Sequence, residues 1–177
     1  DTMAIRQNWG STYNLLPEVQ EERGGSIPFY LKPDTLIEGA TMALPLILVT
    51  VQQPTTAMYG IAFSLTYDPT VVVPGSAYLD FEDSWFGSPA SNLLFMQEDS
   101  AVVGRMDVAL TRTDGQNQSG FGEIGSFIIT VEDDILAQQR SPGYAFSIEN
   151  VRAISFEEIE QPVTGQTTAA EVISSAK

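Results

Sequence analysis

The sequence predicts an all-β protein, an antiparallel β-sandwich of eight or nine strands with a jelly-roll-like arrangement and a short N-terminal helix and linker. Short runs in which apolar side chains alternate with polar or small ones recur from residue 26 onward, and gaps rich in glycine, proline, asparagine and aspartate separate them. Hydrophobic residues make up 43% of the 177 residues, which is enough for the core of one domain.

The clearest predicted strand covers residues 59–67. Along it, large side chains alternate with small ones, and the large ones are Tyr59, Ile61, Phe63, Leu65 and Tyr67. Such alternation places every second side chain on the core side of a sheet. Asp68-Pro69 then predicts a turn, in which the Asp68 carboxylate accepts a hydrogen bond from the backbone two residues later.

The remaining predicted strands show weaker versions of the same pattern. They cover residues 26–34, 42–51, 76–82, 92–98, 103–113, 124–133, 143–156 and 169–175. In the run 76–82, Tyr78 is expected to anchor the strand, together with Leu79 or Phe81. Around 103–113 one face is expected to carry Val102, Met106, Val108 and Leu110, and the other Arg105, Asp107 and Thr111.

The first 26 residues differ from the rest of the chain. Apolar side chains at Met3, Ile5 and Trp9 predict a short helix over residues 2–9 that stops at Gly10, and a linker follows. We therefore divide the chain into a helix and linker over residues 1–26 and a β-sandwich over residues 27–177. Because the chain begins at Asp1 and not at a start methionine, we expect it to be a piece of a longer protein.

The charge and the missing residue types exclude several function classes. Eight basic and twenty-three acidic residues give a net charge of −15, which disfavours nucleic acid and anionic lipid. Such a surface can attract calcium or basic partners, but the simpler interpretation is that the charge keeps a secreted protein soluble. The chain has no cysteine and no histidine. Thiol chemistry, disulfides and histidine-based triads or zinc sites are therefore excluded, and we expect a protein that is not an enzyme.

One motif carries a family resemblance. The pattern F-x-x-x-Y-D-P-x-V-V is met by Phe63, Tyr67, Asp68, Pro69, Val71 and Val72. It resembles the cohesin modules of cellulosome scaffolds and their relatives in the bacterial carbohydrate-binding-domain superfamily. The resemblance covers residues 27–173 and is nearest to cohesin-like domains of large modular bacterial cell-surface proteins. It implies a β-sandwich, a protein partner bound on one flat sheet face, and no catalysis.

The first residues resemble a second kind of module. The stretch "DTMAIRQNWG" is similar to the end of a dockerin-like EF-hand segment, in which a final loop residue begins a helix. Asp1 would then occupy the position of the last calcium ligand. A single carboxylate cannot supply the six to eight oxygens that calcium takes, so no calcium site is predicted there.

The loop 113–123 is the best candidate for a calcium site elsewhere. Asp114, Asn117 and Glu123 offer carboxylate and amide oxygens, which are the ligands calcium prefers. This spacing does not follow the EF-hand pattern. Calcium is the one cofactor that the sequence suggests.

Two further features concern sugars. The tripeptides that begin at Asp1, Asp34 and Asp99 resemble a short O-glycosylation signal of some Gram-negative surface proteins, and they make Thr2, Thr35 and Ser100 candidate glycosylation sites. Trp85 and Phe86 have the chemistry to stack on a bound sugar, or else to cover the open end of the core; we predict the second.

These observations predict a non-catalytic extracellular adhesion or assembly module that binds a protein partner on the bacterial surface. One candidate binding face is the small-residue side of the strand 59–67, with Ala62, Ser64 and Thr66, although the same pattern also suits a plain solvent-facing side. A carbohydrate-binding module and a structural repeat unit of a surface filament are the alternatives. Exposed coplanar aromatic side chains would favour the first, and unpaired edge strands the second.

Overall fold

A computed structural model describes residues 26–33, 35–49, 55–137 and 143–174. The predicted helix over residues 2–9, its linker, Asp1 and Thr2 lie outside these residues. The first strand begins at Ile27, where the sandwich was expected to begin. The division of the chain into 1–26 and 27–177 stays a prediction.

The described residues contain strands and turns and no helix. In chain order the strands are β1 (Ile27–Leu31), β2 (Leu36–Ile37), β3 (Thr41–Leu48), β4 (Thr55–Met58), β5 (Gly60–Thr66), β6 (Tyr78–Asp80), β7 (Leu93–Ser100), β8 (Arg105–Arg112), β9 (Gln118–Gly120), β10 (Gly122–Thr130), β11 (Gly143–Ile154), β12 (Glu160–Gln161), β13 (Val163–Gly165) and β14 (Thr167–Ile173). Eight of these have five or more residues, in agreement with the expected number of strands.

The strands form two sheets that pack face to face. The five-stranded sheet has the order β13-β1-β3-β10-β6, and the seven-stranded sheet has the order β2-β14-β11-β5-β8-β7 with β12 beside β11. A small ribbon of β4 and β9 completes the fold. Most neighbours are antiparallel, but β1 with β13 and β14 with β2 are parallel. The all-β sandwich is therefore confirmed, with short parallel strands at two of its edges.

The interior of the sandwich is built by side chains that alternate along the long strands. In β5 the predicted core residues Ile61, Phe63 and Leu65 are buried, as is Tyr67 directly after it. Aromatic pairs join the two sheets across the interior: the ring centroids of Phe29 and Phe63 lie 4.8 Å apart, nearly perpendicular. Edge-to-face contacts of this kind stabilise a core beyond the area that they bury.

Two predicted side-chain positions were wrong. Tyr78 is 50% exposed, whereas Leu79 and Phe81 are buried, because successive residues of β6 point to opposite faces and Leu79 takes the inner one. Val102 does not share a face with Met106 and its neighbours, because it lies in the turn between β7 and β8 and is 93% exposed.

The predicted turn after β5 is confirmed. The backbone N–H of Thr70 donates a hydrogen bond to Asp68 Oδ1 at 2.8 Å, and the Thr70 hydroxyl bonds the same oxygen at 2.7 Å. Asp68 therefore has the structural role that the sequence indicates.

Within the described part of the chain, no helix has the length and apolar character that crossing a membrane requires.

Candidate functional site

The outer face of the seven-stranded sheet is the most extended surface that regular strands build in this domain. Its central strands are β5 and β8, flanked by β7 and β11. The residues that alternate with the core positions point to this side. They are Leu94, Met96 and Glu98 on β7, Arg105, Asp107, Ala109 and Thr111 on β8, Gly60, Ala62, Ser64 and Thr66 on β5, and Ser147, Glu149, Arg152 and Ile154 on β11.

Strand register arranges these side chains in rows across the sheet. One row runs from Leu94 to Ile154, and the two residues between them are Thr111 and Gly60. Leu94 is 57% exposed and Ile154 40%. At this end, the outer face therefore has exposed apolar side chains at both margins and smaller residues between them.

The neighbouring row also has small residues in its middle, but only one of its two margins is apolar. Ala109 and Ala62 lie in its middle, with Met96 on one side and Arg152 on the other. Met96 is 73% exposed. We call these two rows the apolar rows. Ala109 and Ala62 leave space above the backbone and form the floor of a shallow trough, whereas the Ile154 side chain lies over Gly60.

The next two rows of the outer face are polar, and hydrogen bonds join side chains of both rows. Ser64 Oγ donates to Asp107 Oδ1 at 2.7 Å, and the Arg105 guanidinium bonds both Ser64 Oγ at 3.1 Å and Asp107 Oδ1 at 2.8 Å. Asn150 Nδ2 approaches Ser64 Oγ at 3.3 Å. We call these four residues the polar cluster. Ser64 is its buried member, while Arg105 and Asp107 stay about half exposed.

A β-bulge brings Asn150 into the polar cluster. The register of β11 against β5 shifts between Glu149 and Arg152, and Asn150 takes the left-handed backbone conformation with φ of 53°. Asparagine tolerates this conformation better than most residues, because its short polar side chain bonds locally. The bulge thus turns the Asn150 side chain toward Ser64.

The polar cluster perturbs one carboxylate. Hydrogen bonds from Arg105 and then from Ser64 hold the pKa of Asp107 below its ordinary value, against a smaller opposing effect of desolvation. Asp107 therefore stays ionised at neutral and mildly acidic pH. The outer face presents a fixed ion pair at its centre.

The sequence identified the members of the polar cluster only in part. It placed Arg105 and Asp107 on the face opposite Met106, and Ser64 on the small-residue side of β5. Their contact was not predicted, because Ser64 and Asp107 meet only through the pairing of β5 with β8. Asn150 was missed altogether, and its only local signal is an Asn within a strand.

The predicted calcium ligand Asp114 belongs to a different group of side chains. Arg112 is buried, and its Nε donates to Gln116 O at 2.9 Å, while its guanidinium also bonds Asp114 and the Phe86 carbonyl. Although desolvation raises the pKa of Asp114, the bonds from Arg112, the Gln116 N–H and Asn92 outweigh it and leave that pKa lowered. Asp114 thus neutralises a buried arginine.

The other two predicted calcium ligands have separate partners. Asn117 Nδ2 donates to Glu157 Oε2 at 2.9 Å, and its Oδ1 accepts from the Phe156 N–H at 2.6 Å. Glu123 Oε1 accepts from Ser126 Oγ at 2.6 Å. Within the described ranges, no three acidic side chains lie close enough together to hold a metal ion. Calcium at Asp114, Asn117 and Glu123 stays a prediction.

The candidate glycosylation sites that fall in the described residues are on the surface. Thr35 is exposed just before β2, and Ser100 is exposed at the end of β7. Thr2 lies outside the described residues. Both described side chains are accessible, and their modification stays a prediction.

Trp85 and Phe86 do not form an exposed aromatic platform. Phe86 is fully buried, and Trp85 is partly buried against the core. The Trp85 ring covers Gly120 so closely that a Cβ there would overlap it, and the indole N–H donates to Gly122 O at 3.3 Å. This arrangement agrees with the predicted role of Trp85 as a cover over one end of the core.

Comparison with known proteins gives structural relatives only. No protein-family model and no curated protein sequence matches the chain. Among solved structures, the chain is similar to the Coh-OlpA-Doc918 complex, a type I cohesin–dockerin complex from Clostridium thermocellum, with 15% identity and a TM-score of 0.67. The match covers 84% of this chain and 100% of that one.

Two further neighbours were described outside cohesin–dockerin complexes. The cohesin module of a Clostridium perfringens family 33 glycoside hydrolase has 10% identity, a TM-score of 0.60 and coverage of 86% of this chain and 100% of its own. A non-cellulosomal cohesin from the archaeon Archaeoglobus fulgidus has 15% identity, a TM-score of 0.59 and coverage of 85% and 93%. The chain therefore has a cohesin-like β-sandwich fold.

Proposed function

We propose that this domain is a non-catalytic protein-binding module whose partner binds on the outer face of the seven-stranded sheet. The observation that carries the proposal is the adjacency of the apolar rows and the polar cluster at the centre of that face. Exposed Leu94, Met96 and Ile154 flank a trough of small side chains, and a fixed Arg105–Asp107 pair lies beside it.

This arrangement suits a protein partner on physical grounds. Burial of exposed apolar side chains gives about 25 cal/mol per Å² of area removed from water. A trough floored by Ala62 and Ala109 lets a partner approach the sheet closely. The polar cluster is already ordered by its own hydrogen bonds, so binding costs less conformational entropy. Arg105 and Asp107 would orient the partner by charge.

The structural neighbours support a protein as the partner. Several of them are cohesins solved together with dockerins, including chains from Clostridium thermocellum and Acetivibrio cellulolyticus. The sequence resemblance points the same way. We propose a dockerin-like or comparable protein module as the partner.

The setting of the domain is part of the same proposal. We place it outside the cell, on a bacterial surface, as an adhesion or assembly module of a larger modular protein with a dockerin-like segment before it. The resemblance of residues 27–173 to domains of large surface proteins supports this setting, as does the strongly acidic composition. Accessible Thr35 and Ser100 are compatible with surface glycosylation.

A pull-down from the surface fraction of the source tests the proposal. The immobilised chain is compared with Ala109→Trp, which fills the trough, and with Ala43→Trp, which places the same bulk at an exposed position of β3 in the other sheet. The expected result is one protein retained by the wild type and by Ala43→Trp and lost with Ala109→Trp. Parallel samples with EDTA show whether calcium is needed.

A glycan array and an insoluble-polysaccharide sedimentation assay complete the experiment. Binding to polysaccharide without any retained protein would replace the proposed function by the carbohydrate-binding alternative. Equal retention by Ala109→Trp and the wild type would move the binding site away from the outer face.

A further inference from the structure

The strand β7 is the one long edge strand among the described residues. The two sheets end in β13, β6, β2 and β7. The first three have two or three residues, which is a common way to keep an edge from pairing with another chain. β7 has eight residues, so its edge is not protected by being short.

Hydrogen-bond geometry shows which groups of β7 face outward. Thr113 N–H donates to Asn92 O at 2.9 Å, and in this register the even-numbered residues of β7 bond β8. The N–H and C=O groups of Phe95, Gln97 and Asp99 therefore point away from β8. Within the described ranges these backbone groups have no hydrogen-bond partner.

The facing edge of the other sheet is closed by a side chain. Leu79 N–H donates to Gln97 Oε1 at 2.6 Å, and Gln97 Nε2 donates to Leu79 O at 3.1 Å. The Gln97 amide thus takes the place of a neighbouring strand beside β6. No described side chain does the same for β7, so the described part of the chain protects one of two adjacent edges and leaves the other open.

The surroundings of the open edge have a distinct chemistry. Leu94 and Met96 are exposed at its first half, and Glu98 and Asp99 lie at its second half. Asp80 at the end of β6 and Glu82 and Asp83 in the turn after it add three carboxylates. They border the edge because Phe81 packs on Phe95 with ring centroids 5.1 Å apart. Leu94 and Met96 lie on one face of β7, whereas Asp99 and the carboxylates near Phe95 lie on the other, so an added strand would meet apolar side chains on one face and carboxylates on the other.

We infer that β7 binds an extended segment of a partner protein, in which apolar and basic residues alternate, by strand addition to the seven-stranded sheet. The unpaired backbone groups supply the hydrogen bonds, Leu94 and Met96 contact the apolar residues, and the carboxylates pair with the basic ones. A second copy of this chain is a poor occupant, because both copies carry a net charge of −15 and β7 brings its own carboxylates. The inference does not depend on the proposed function.

Amide hydrogen exchange gives the first test. In the free protein, the amides of Phe95, Gln97 and Asp99 are expected to exchange much faster than those of Leu94, Met96 and Glu98, which bond β8. Equally slow exchange on both sets would show that the edge is already covered and would overturn the inference.

Peptide binding gives the second test. A synthetic peptide of alternating valine and lysine, as long as β7, is titrated and followed by NMR. The expected result is binding with shifts concentrated in Leu93–Ser100 and new protection at Phe95, Gln97 and Asp99. A valine–glutamate peptide and a valine–lysine peptide with methylated backbone amides are expected not to bind. Binding of either control, or shifts elsewhere on the domain, would overturn the inference.

Two variants locate the site and separate it from the proposed function. Glu82→Lys with Asp83→Lys changes only exposed side chains of the turn and is expected to weaken the peptide about tenfold or more. Ala62→Trp fills the trough from β5, with β8 between it and β7, and is expected to leave peptide binding unchanged. Failure of the peptide to bind would refute strand addition but not the proposed function. Retention of a partner through the trough is measured independently with the Ala109→Trp and Ala43→Trp pair.

Discussion

The Tyr67 side chain follows β5 with its ring in the core and its hydroxyl at the margin of the sandwich. Its ring lies 5.6 Å from that of Phe127, and its hydroxyl donates to Asp99 Oδ1 at 2.6 Å. Burial, and then the bond to Asp99, raise the pKa of Tyr67 well above its usual value. One residue therefore joins the end of β5 to the end of β7.

Replacement of Tyr67 by phenylalanine removes this bond and keeps the ring. We expect Tyr67→Phe to lower the free energy of unfolding at pH 7 by about 1.5–3 kcal/mol, the usual range for a hydrogen bond to a charged acceptor. Because the folded-state pKa is raised, the unfolded chain loses the tyrosine proton first, and this stabilisation is lost as pH rises above about 10. Urea unfolding at pH 7 and at alkaline pH measures both effects.

Tyr78→Phe serves as the control, because Tyr78 is half exposed. Its effect is expected to stay within about 0.5 kcal/mol at both pH values. A difference between Tyr67→Phe and the wild type that persists undiminished at high pH would contradict this interpretation.

The polar cluster shows the limit of residue-level prediction from sequence. Alternation along β5 and β8 correctly predicted which side chains face outward. The hydrogen bond between Ser64 and Asp107 depends on a register between strands 43 residues apart, and no local pattern encodes that register. The buried position of Arg112 was also not visible, since a charged residue is rarely buried unless several partners surround it.

At the scale of elements, the β7–β8 hairpin is tied to the end of β5 by its turn. Gly104 has a φ of 66°, and its carbonyl accepts the Tyr67 N–H at 2.8 Å. A Cβ at this position would overlap the Tyr67 carbonyl oxygen. Glycine is therefore required here for both backbone conformation and close approach.

Gly104→Ala is expected to destabilise the protein by about 3 kcal/mol or more, because both the backbone at residue 104 and the Tyr67 carbonyl must shift. The matched control is Gly75→Ala. Gly75 has a similar φ of 79° but no atom within 4 Å of the added Cβ, so only the conformational cost of about 1 kcal/mol is expected. Thermal and urea unfolding of the two variants give the comparison. Equal losses would contradict a steric role for the Tyr67 carbonyl.

The two hydrogen bonds between the Gln97 amide on β7 and the Leu79 backbone on β6 allow a second prediction at the scale of elements. Gln97→Leu leaves both the N–H and the C=O of Leu79 without the Gln97 amide, and we expect a loss of about 1–2 kcal/mol in urea unfolding. Gln97→Glu keeps an acceptor for the Leu79 N–H but has no donor for its C=O, so its loss is expected to be smaller. A larger loss for the glutamate variant would mean that charge near Asp99 dominates over hydrogen bonding.

Long strands were predictable and short ones were not. β3, β5, β7, β8, β10 and β11 each carry enough alternating residues to reveal a period of two. Elements such as β2 and β12 have two residues, which carry no period, and only their long-range neighbours define them. For the same reason, the parallel pairing of β1 with β13 could not be read from either segment.

At the scale of the whole molecule, the net charge of −15 opposes the compact state. The ion pairs between described residues are Arg105–Asp107 and Arg112–Asp114, so few attractions offset the repulsion. Raising the ionic strength from about 0.01 M to about 0.15 M shortens the screening length from about 30 Å to about 8 Å. We expect the midpoint of thermal unfolding to rise by about 2–4 °C, or about 1 kcal/mol.

Scanning calorimetry in sodium chloride measures this shift. A variant with Glu132→Gln, Glu160→Gln and Glu171→Gln has less repulsion to screen, and its midpoint is expected to change less with salt. A midpoint that falls as salt is added would show that attractive pairs outweigh the repulsion.

The sequence by itself determined the all-β class, the long strands, the core positions of β5 and the turn at Asp68, because these depend on period-two alternation and on local hydrogen bonds. The charge and the absence of cysteine and histidine also follow from the sequence alone. Only the tertiary structure decided the rows of the outer face, the polar cluster, the partners of Arg112 and the open edge at β7. Each of these depends on which strands lie side by side and in what register, and that choice is made by the packing of the whole core.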